Sequence, residues 1–258
     1  MSRGGLIAAL PMYDRPESRS ATDALWVAIR DQLRTAGIAA PEGLSHDGDL
    51  WAEWQSPDLL LSQTCGLPFR SRLHRQVALV ATPDYGLPGC AAGQYNSVIA
   101  MRAGDPRRAS AQWRDLRLAY NDPLSQSGWA AAVDAVAQRG GGFAECLQTG
   151  GHAASARAVT EGRADICFID AQSWRLMRRD DPVIAALAEV GRTPPTPGLP
   201  LITAPGRDVI ALRTAVGAAI AALSESRRAQ LGLNGLVVLP EAAYLAQPIP
   251  APPPIGRV

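Results

Sequence analysis

The chain has 258 residues, a formal net charge of +1 at pH 7 and 47% hydrophobic residues. That length accommodates one large domain or two small ones, and the near-neutral charge gives no footprint for nucleic acid or a membrane surface. The 25 basic residues are all arginine, which excludes a Schiff-base or phosphate-loop lysine, and no window approaches the roughly 20 apolar residues that span a bilayer.

Gly5 to Leu10 is a first apolar strand, ending in the turn Pro11-Met12-Tyr13-Asp14-Arg15-Pro16. The stretch before Pro11 is too short for a secretory leader, so the chain is expected to be either cytoplasmic or the mature part of an exported protein. Thr22 to Thr35 sets Leu25, Ile29 and Leu33, with Trp26, at helical spacing, and Gly37 closes that helix. Trp51 and Trp54, like Trp26, read as packing residues. Asp58 to Ser62 is a buried strand by its leucines, and Gln63-Thr64-Cys65-Gly66 follows as a polar turn. Gln76 to Thr82 and Tyr95 to Met101 are two more strands.

Cys65 and Cys90 lie in glycine-containing turns and form either a disulfide or two separate thiols. Cys146 and Cys167 fall in strand candidates and read as small core residues. No C-x-x-C pair occurs and the histidines lack ligand spacing, so no metal and no other cofactor is expected.

After Arg102 the composition changes, and Gly104-Asp105-Pro106 reads as a connector. Two strand candidates, Leu116 to Tyr120 and Phe143 to Leu147, each lead into a polar turn that opens a helix. The turns are Ser125-Gln126-Ser127-Gly128 and Thr149-Gly150-Gly151-His152. Such turns present unpaired backbone N–H groups under the positive end of a helix dipole, which suits a small anion or strongly polar group. A third strand, Ala164 to Ile169, delivers Asp170 to its carboxyl end, where ligands bind in open α/β sheets. Each residue has a structural alternative: Ser127 as a helix N-cap worth about 1 kcal/mol, Asp170 as the cap of the helix containing Trp174, and Trp129 as packing instead of cleft lining.

Thr193 to Pro200 is proline-rich and reads as a linker. Leu201 to Thr203 is a returning strand, Val209 to Leu223 and Ser226 to Leu231 are helices, and Leu236 to Leu239 is a last strand. Residues 247–258 form an extended Pro-rich tail. Two α/β series joined by a forward and a return crossing predict two lobes. The first is 1–103 plus 200–258; the second, 104–199, carries the anion-binding helix starts. A small ligand is expected between them, with the crossings as a hinge.

The motifs LPMYDRPE (Leu10 to Glu17), LLLSQTCG (Leu59 to Gly66), YNSVIAMR (Tyr95 to Arg102), NDPLSQSGW (Asn121 to Trp129), TGGHAASARAVTEGRADICFID (Thr149 to Asp170) and LPLITAPG (Leu199 to Gly206) resemble the phosphate/phosphite/phosphonate-type, PhnD-like substrate-binding proteins of ABC transporters. The similarity covers nearly the whole chain. It implies an α/β, two-lobed type II periplasmic-binding-protein fold, two open sheets with a two-crossing hinge, closing on a small-molecule ligand. It also implies a monomer in the periplasm, with an ABC permease as partner. By the resemblance, Ser125, Gln126, Ser127 and Gly128 cradle the anionic head, and His152 adds a donor, directly or as imidazolium. Asp170 accepts from a protonated ligand oxygen or an ammonium, Tyr13 and Tyr95 match aromatic positions that wall the cleft, and Gln63 and Thr64 offer polar contacts from the first lobe. Gln126 stands where the family often has another small hydroxyl, so phosphonate, a broader anion and a small zwitterion stay open. Catalysis is not expected: there is no G-x-S-x-G elbow, and Ser127 and His152, both at helix starts, are placed to serve an anion better than each other. A cytoplasmic ligand sensor on the same fold is the alternative.

Overall fold

A computed structural model of the chain describes residues 5–109, 113–139 and 141–253. In chain order the first elements are β1 (Ile7–Ala9), α1 (Arg19–Thr35), α2 (Leu50–Trp54), β2 (Leu59–Gln63), α3 (Gly66–Pro68, running into a π-helical turn, Phe69–Leu73) and β3 (Ala78–Asp84). Next come β4 (Gln94–Tyr95), β5 (Ser97–Arg102), β6 (Arg117–Tyr120), α4 (Ala131–Ala137), β7 (Glu145–Gln148), α5 (His152–Thr160), β8 (Ile166–Asp170) and α6 (Ala171–Asp180). The chain continues through β9 (Leu187–Arg192), β10 (Thr196–Pro197), β11 (Leu201–Thr203), α7 (Val209–Ala222), α8 (Glu225–Leu231), β12 (Gly235–Val237) and α9 (Glu241–Leu245).

These elements divide into two compact units, Met1–Gln94 with Pro197–Gln247 and Tyr95–Thr196 with Pro248–Val258. Unit one holds a five-stranded sheet in the order β1-β2-β11-β3-β12. The run Leu59, Leu60, Leu61 is buried on both faces of β2. One face meets Trp26, Ile29 and Leu33 of α1 and Val216 and Ile220 of α7; the other meets Trp54, Phe69 and Tyr244. The predicted α1 stripe is therefore core, and the helix ends as expected: Gly37 has φ +76° and the Ile38 N–H donates to the Leu33 carbonyl, a left-handed closure that glycine permits.

Unit two holds the sheet β7-β6-β8-β5-β9. Strands β7, β6 and β8 are parallel, and β5 runs antiparallel to β8 and β9. The parallel strands therefore end at one edge of the sheet, where the two polar turns begin and Asp170 lies. Ile99, Met101, Leu118, Phe168 and Trp129 fill its core. Among the described residues no single helix is long and apolar enough to cross a membrane.

Four expectations need correction. The strand from Tyr95, placed with the first lobe, supplies β5 to the second sheet, where it pairs with β8 from Ser97 to Met101; the first division falls at Gln94/Tyr95, not after residue 103, and the return at Thr196/Pro197, not at residue 200. Ile99 and Met101 are core residues of unit two, so burial decides the assignment. The proline-rich linker contains β10, which pairs with β4. The strand expected at Phe143 to Leu147 is displaced to Glu145–Gln148, because register with Arg117–Tyr120 sets its limits. The tail, grouped with the first lobe, belongs with unit two from Pro248 onward: the indole N–H of Trp129 donates to the Ala251 carbonyl at 2.9 Å. Residues 254–258 of the expected extended tail lie outside the described residues.

Candidate functional site

Strand β6 ends at Tyr120, and Asn121 to Ser125 turn the chain into a helix. Ser125 is the N-cap: its Oγ accepts from the Gly128 N–H at 2.9 Å. The cap is thus Ser125, not the sequence alternative Ser127, because Gln126–Ala130 begins as a π-helical turn in which the Ala130 N–H reaches back five residues to the Ser125 carbonyl. Single π turns inside helices recur at functional sites. Widening the first turn releases the Ser127 hydroxyl from capping. Gly128 leaves room for Asn121: a Cβ would lie 1.9 Å from Asn121 Oδ1, so any larger residue would displace that side chain.

Strand β7 leads to the second turn. Thr149 Oγ1 donates to the Tyr120 carbonyl at 3.0 Å and is hydrogen-bonded to Ser155 Oγ at 2.7 Å, so the two turns are stitched at their bases. Gly151 is the N-cap residue of α5 and gives no side-chain cap, which leaves the first N–H groups of that helix for something else. The turns meet at their tips: Ser127 Oγ and His152 Nε2 are hydrogen-bonded at 2.9 Å, with Ser125 Oγ 3.4 Å from Ser127 Oγ. Ser125, Gln126, Ser127 and Gly128 are buried. Burial lowers the His152 pKa to about 4, outweighing the opposing effect of the Phe168 backbone. The imidazolium expected as one possibility is therefore not the form at neutral pH, where His152 is a neutral imidazole.

Asp170 is buried at the end of β8 and caps α6, accepting from the Ser173 N–H at 2.8 Å. The capping alternative is thus realised. Tyr95 is 2% exposed at the start of unit two. Trp129 takes the packing alternative, buried against Tyr120 with ring centroids 5.1 Å apart.

The model of the family described as "ABC transporter, phosphonate, periplasmic substrate-binding protein" matches residues 61–239. The chain belongs to this family. Solved structures agree with that fold. PhnD1 of Prochlorococcus marinus, in complex with methylphosphonate, is 15% identical with a TM-score of 0.70, covering 93% of this chain and 94% of its own. The binding protein component of an ABC phosphonate transporter from Pseudomonas aeruginosa is 14% identical with a TM-score of 0.70, covering 93% of this chain and 83% of its own. A Xanthomonas citri protein bound to ATP is 15% identical with a TM-score of 0.68 and 93% coverage of each chain. Compared by sequence with curated proteins, the chain matches none. The fold class is thus the type II periplasmic-binding-protein fold, with two mixed sheets, and the family is one of transporter binding proteins.

In this phosphonate-binding family member the unit-one candidates Tyr13 and Gln63 both meet Tyr85. The Tyr13 ring stands edge-on to Tyr85, with centroids 4.9 Å apart. Gln63 Nε2 donates to Tyr85 Oη at 3.3 Å and to the Leu199 carbonyl at 3.2 Å. Tyr13, Gln63 and Tyr85 line a hollow of about 50 Å³ with Leu10, Leu201 and Leu233. Thr64 is fully buried and its N–H donates to the Pro200 carbonyl, which ties β2 to the returning chain. Tyr85 was absent from the sequence reading; its signal was the Tyr85-Gly86 pair directly after β3. Also absent was Ser97, whose hydroxyl donates to the Ser127 carbonyl at 3.0 Å. A hydroxyl at the head of the apolar run Val98 to Met101 was the clue.

Proposed function

We propose that this chain captures a small tetrahedral oxyanion of the phosphonate, phosphite or phosphate kind and passes it unchanged to an ABC permease. The observation that carries the proposal is the Ser127–His152 hydrogen bond, which draws together two helix starts. Uncommitted N–H groups and a neutral hydroxyl–imidazole pair provide donors for several oxygens. Four or five charge-assisted hydrogen bonds at roughly 1.5–3 kcal/mol each, less the ordering and desolvation costs, reach the roughly −8 kcal/mol of a micromolar complex. Membership in a periplasmic transporter family and the methylphosphonate bound by the Prochlorococcus relative support the ligand class and the location.

A serine within 2.9 Å of a histidine also resembles a nucleophile and its base, and here the two do serve each other more closely than expected. Two facts favour binding. A pKa of about 4 makes His152 a poor proton acceptor at neutral pH, and its Nδ1 meets no carboxylate to orient it. The test is calorimetric titration of methylphosphonate, phosphite, phosphate and sulfate into the protein and into Ser127→Ala and His152→Ala. Each substitution is expected to weaken the best of these about tenfold, or about 1.4 kcal/mol, with the ligand-free melting temperature nearly unchanged. Lost stability with affinity intact would assign both residues to structure, and turnover of a phosphonate ester would overturn the non-catalytic reading.

A further inference from the structure

We infer that Ser97 is a positioning residue that aims the Ser127 hydroxyl and ties its turn to the strands on which the chain enters and leaves unit two; this rests on the oxyanion reading above. Ser97 is 2% exposed at the first position of β5. A hydroxyl in such a place costs stability unless bonded, and its partner is the carbonyl of Ser127, the residue whose side chain meets His152. The backbone of Ser97 is itself clamped. Its N–H donates to Thr193 Oγ1 at 2.9 Å, and the Thr193 N–H donates to the Ser97 carbonyl at 3.0 Å.

Ser97 follows the division at Gln94/Tyr95 by two residues, and Thr193 precedes that at Thr196/Pro197 by three. The adjacent Asn96 carbonyl accepts from the Ala171 N–H at 3.0 Å, which seats the start of α6 beside Asp170. The pair Asn96-Ser97 therefore holds the Ser127 turn and the start of α6 while lying next to two of the chain passages between the units. An anion that orders the Ser127 turn orders this segment with it, and by reciprocity a loosened segment weakens the grip on the anion.

The experiment titrates methylphosphonate, phosphite and inorganic phosphate into the full chain and into Ser97→Ala, Ser97→Thr, Thr193→Val and the Ser97→Ala/Ser127→Ala double variant. Ligand-free melting temperatures are measured alongside. For whichever probe the unaltered protein binds, Ser97→Ala is expected to weaken affinity about tenfold, and Ser97→Thr, which keeps the hydroxyl, to restore most of it. In the Ser127→Ala background, Ser97→Ala is expected to add less than about threefold, because the group it aims is gone. Thr193→Val moves affinity in the same direction and keeps the question answerable if Ser97→Ala does not fold. Unchanged affinity in both Ser97→Ala and Thr193→Val, or equal losses in the two backgrounds, overturns this inference and leaves the oxyanion reading standing. Failure of the unaltered protein to bind any probe overturns both.

Discussion

At pH 7 the His152 imidazole is neutral, because burial moves its pKa from 6.5 to about 4. The unfolded chain takes up a proton there near 6.5 and the folded chain only near 4. Folded stability from this residue is therefore complete above about pH 6.5 and declines as the pH falls toward 4. His152→Asn is expected to flatten the acid slope of ligand-free stability in that window, measured by denaturant unfolding at stepped pH. The same neutrality predicts that the affinity ratio of the unaltered protein to His152→Asn is constant between about pH 6 and 8. A ratio that climbs on acidification would show an imidazolium at work. The composition of this site, with its serines, glycines and single histidine, was legible in sequence. The histidine's charge was not, since charge depends on how many non-local groups exclude water from the ring. Nor was the cap at Ser125, which only the π-helical turn distinguishes from Ser127.

Away from the turns, unit two is laced by ion pairs that the sequence left as a connector and the beginnings of strands. Asp165 accepts from Arg117 Nε at 3.0 Å, from Arg107 Nη2 at 2.9 Å and from Arg102 Nη2 at 3.2 Å. Asp105 joins through Arg107 and Arg102. Burial raises the Asp165 carboxyl, but the arginine bonds more than offset it and hold the group below the usual carboxylate range. The Arg107 hydrogen bond lowers Asp105 to about 2. Since both folded values lie below the ordinary 3.8, this contribution is complete above about pH 4 and is lost as the pH falls toward 2. Asp165→Asn is expected to cost about 2 kcal/mol near neutral pH, less than a fully buried pair because the arginines are partly exposed. Denaturant unfolding checks this; a difference that persists undiminished below about pH 3 would point to packing instead of charge.

On the scale of the chain, the two units are each built from segments remote in sequence, and three passages connect them, at Gln94/Tyr95, Thr196/Pro197 and Gln247/Pro248. The proposed capture of an oxyanion by closure has two separable signatures. A ligand at a hundred times its Kd adds about 2.7 kcal/mol to the bound state, which for a chain of this size raises the melting temperature by about 5–10 °C. Closure reduces the radius of gyration in solution scattering. A melting shift with an unchanged scattering profile would keep the ligand and discard the motion. Two crossings were visible in sequence as a break in composition and a proline-rich return. The third was not, because the Trp129 indole meets a backbone carbonyl of the tail, at Ala251, which no side-chain pattern announces.

What the sequence determined by itself is local: apolar runs long enough for strands, glycine-bearing turns at their ends, and the motifs that mark a phosphonate-binding family. These follow from side-chain period and turn chemistry within a few residues. The tertiary structure alone decided that the strand after Tyr95 joins the second sheet, that Ser97 supports Ser127, and that His152 is uncharged. Each depends on which distant backbone supplies a hydrogen-bond partner and on how far water is excluded, and neither quantity is carried by neighbouring residues in the chain.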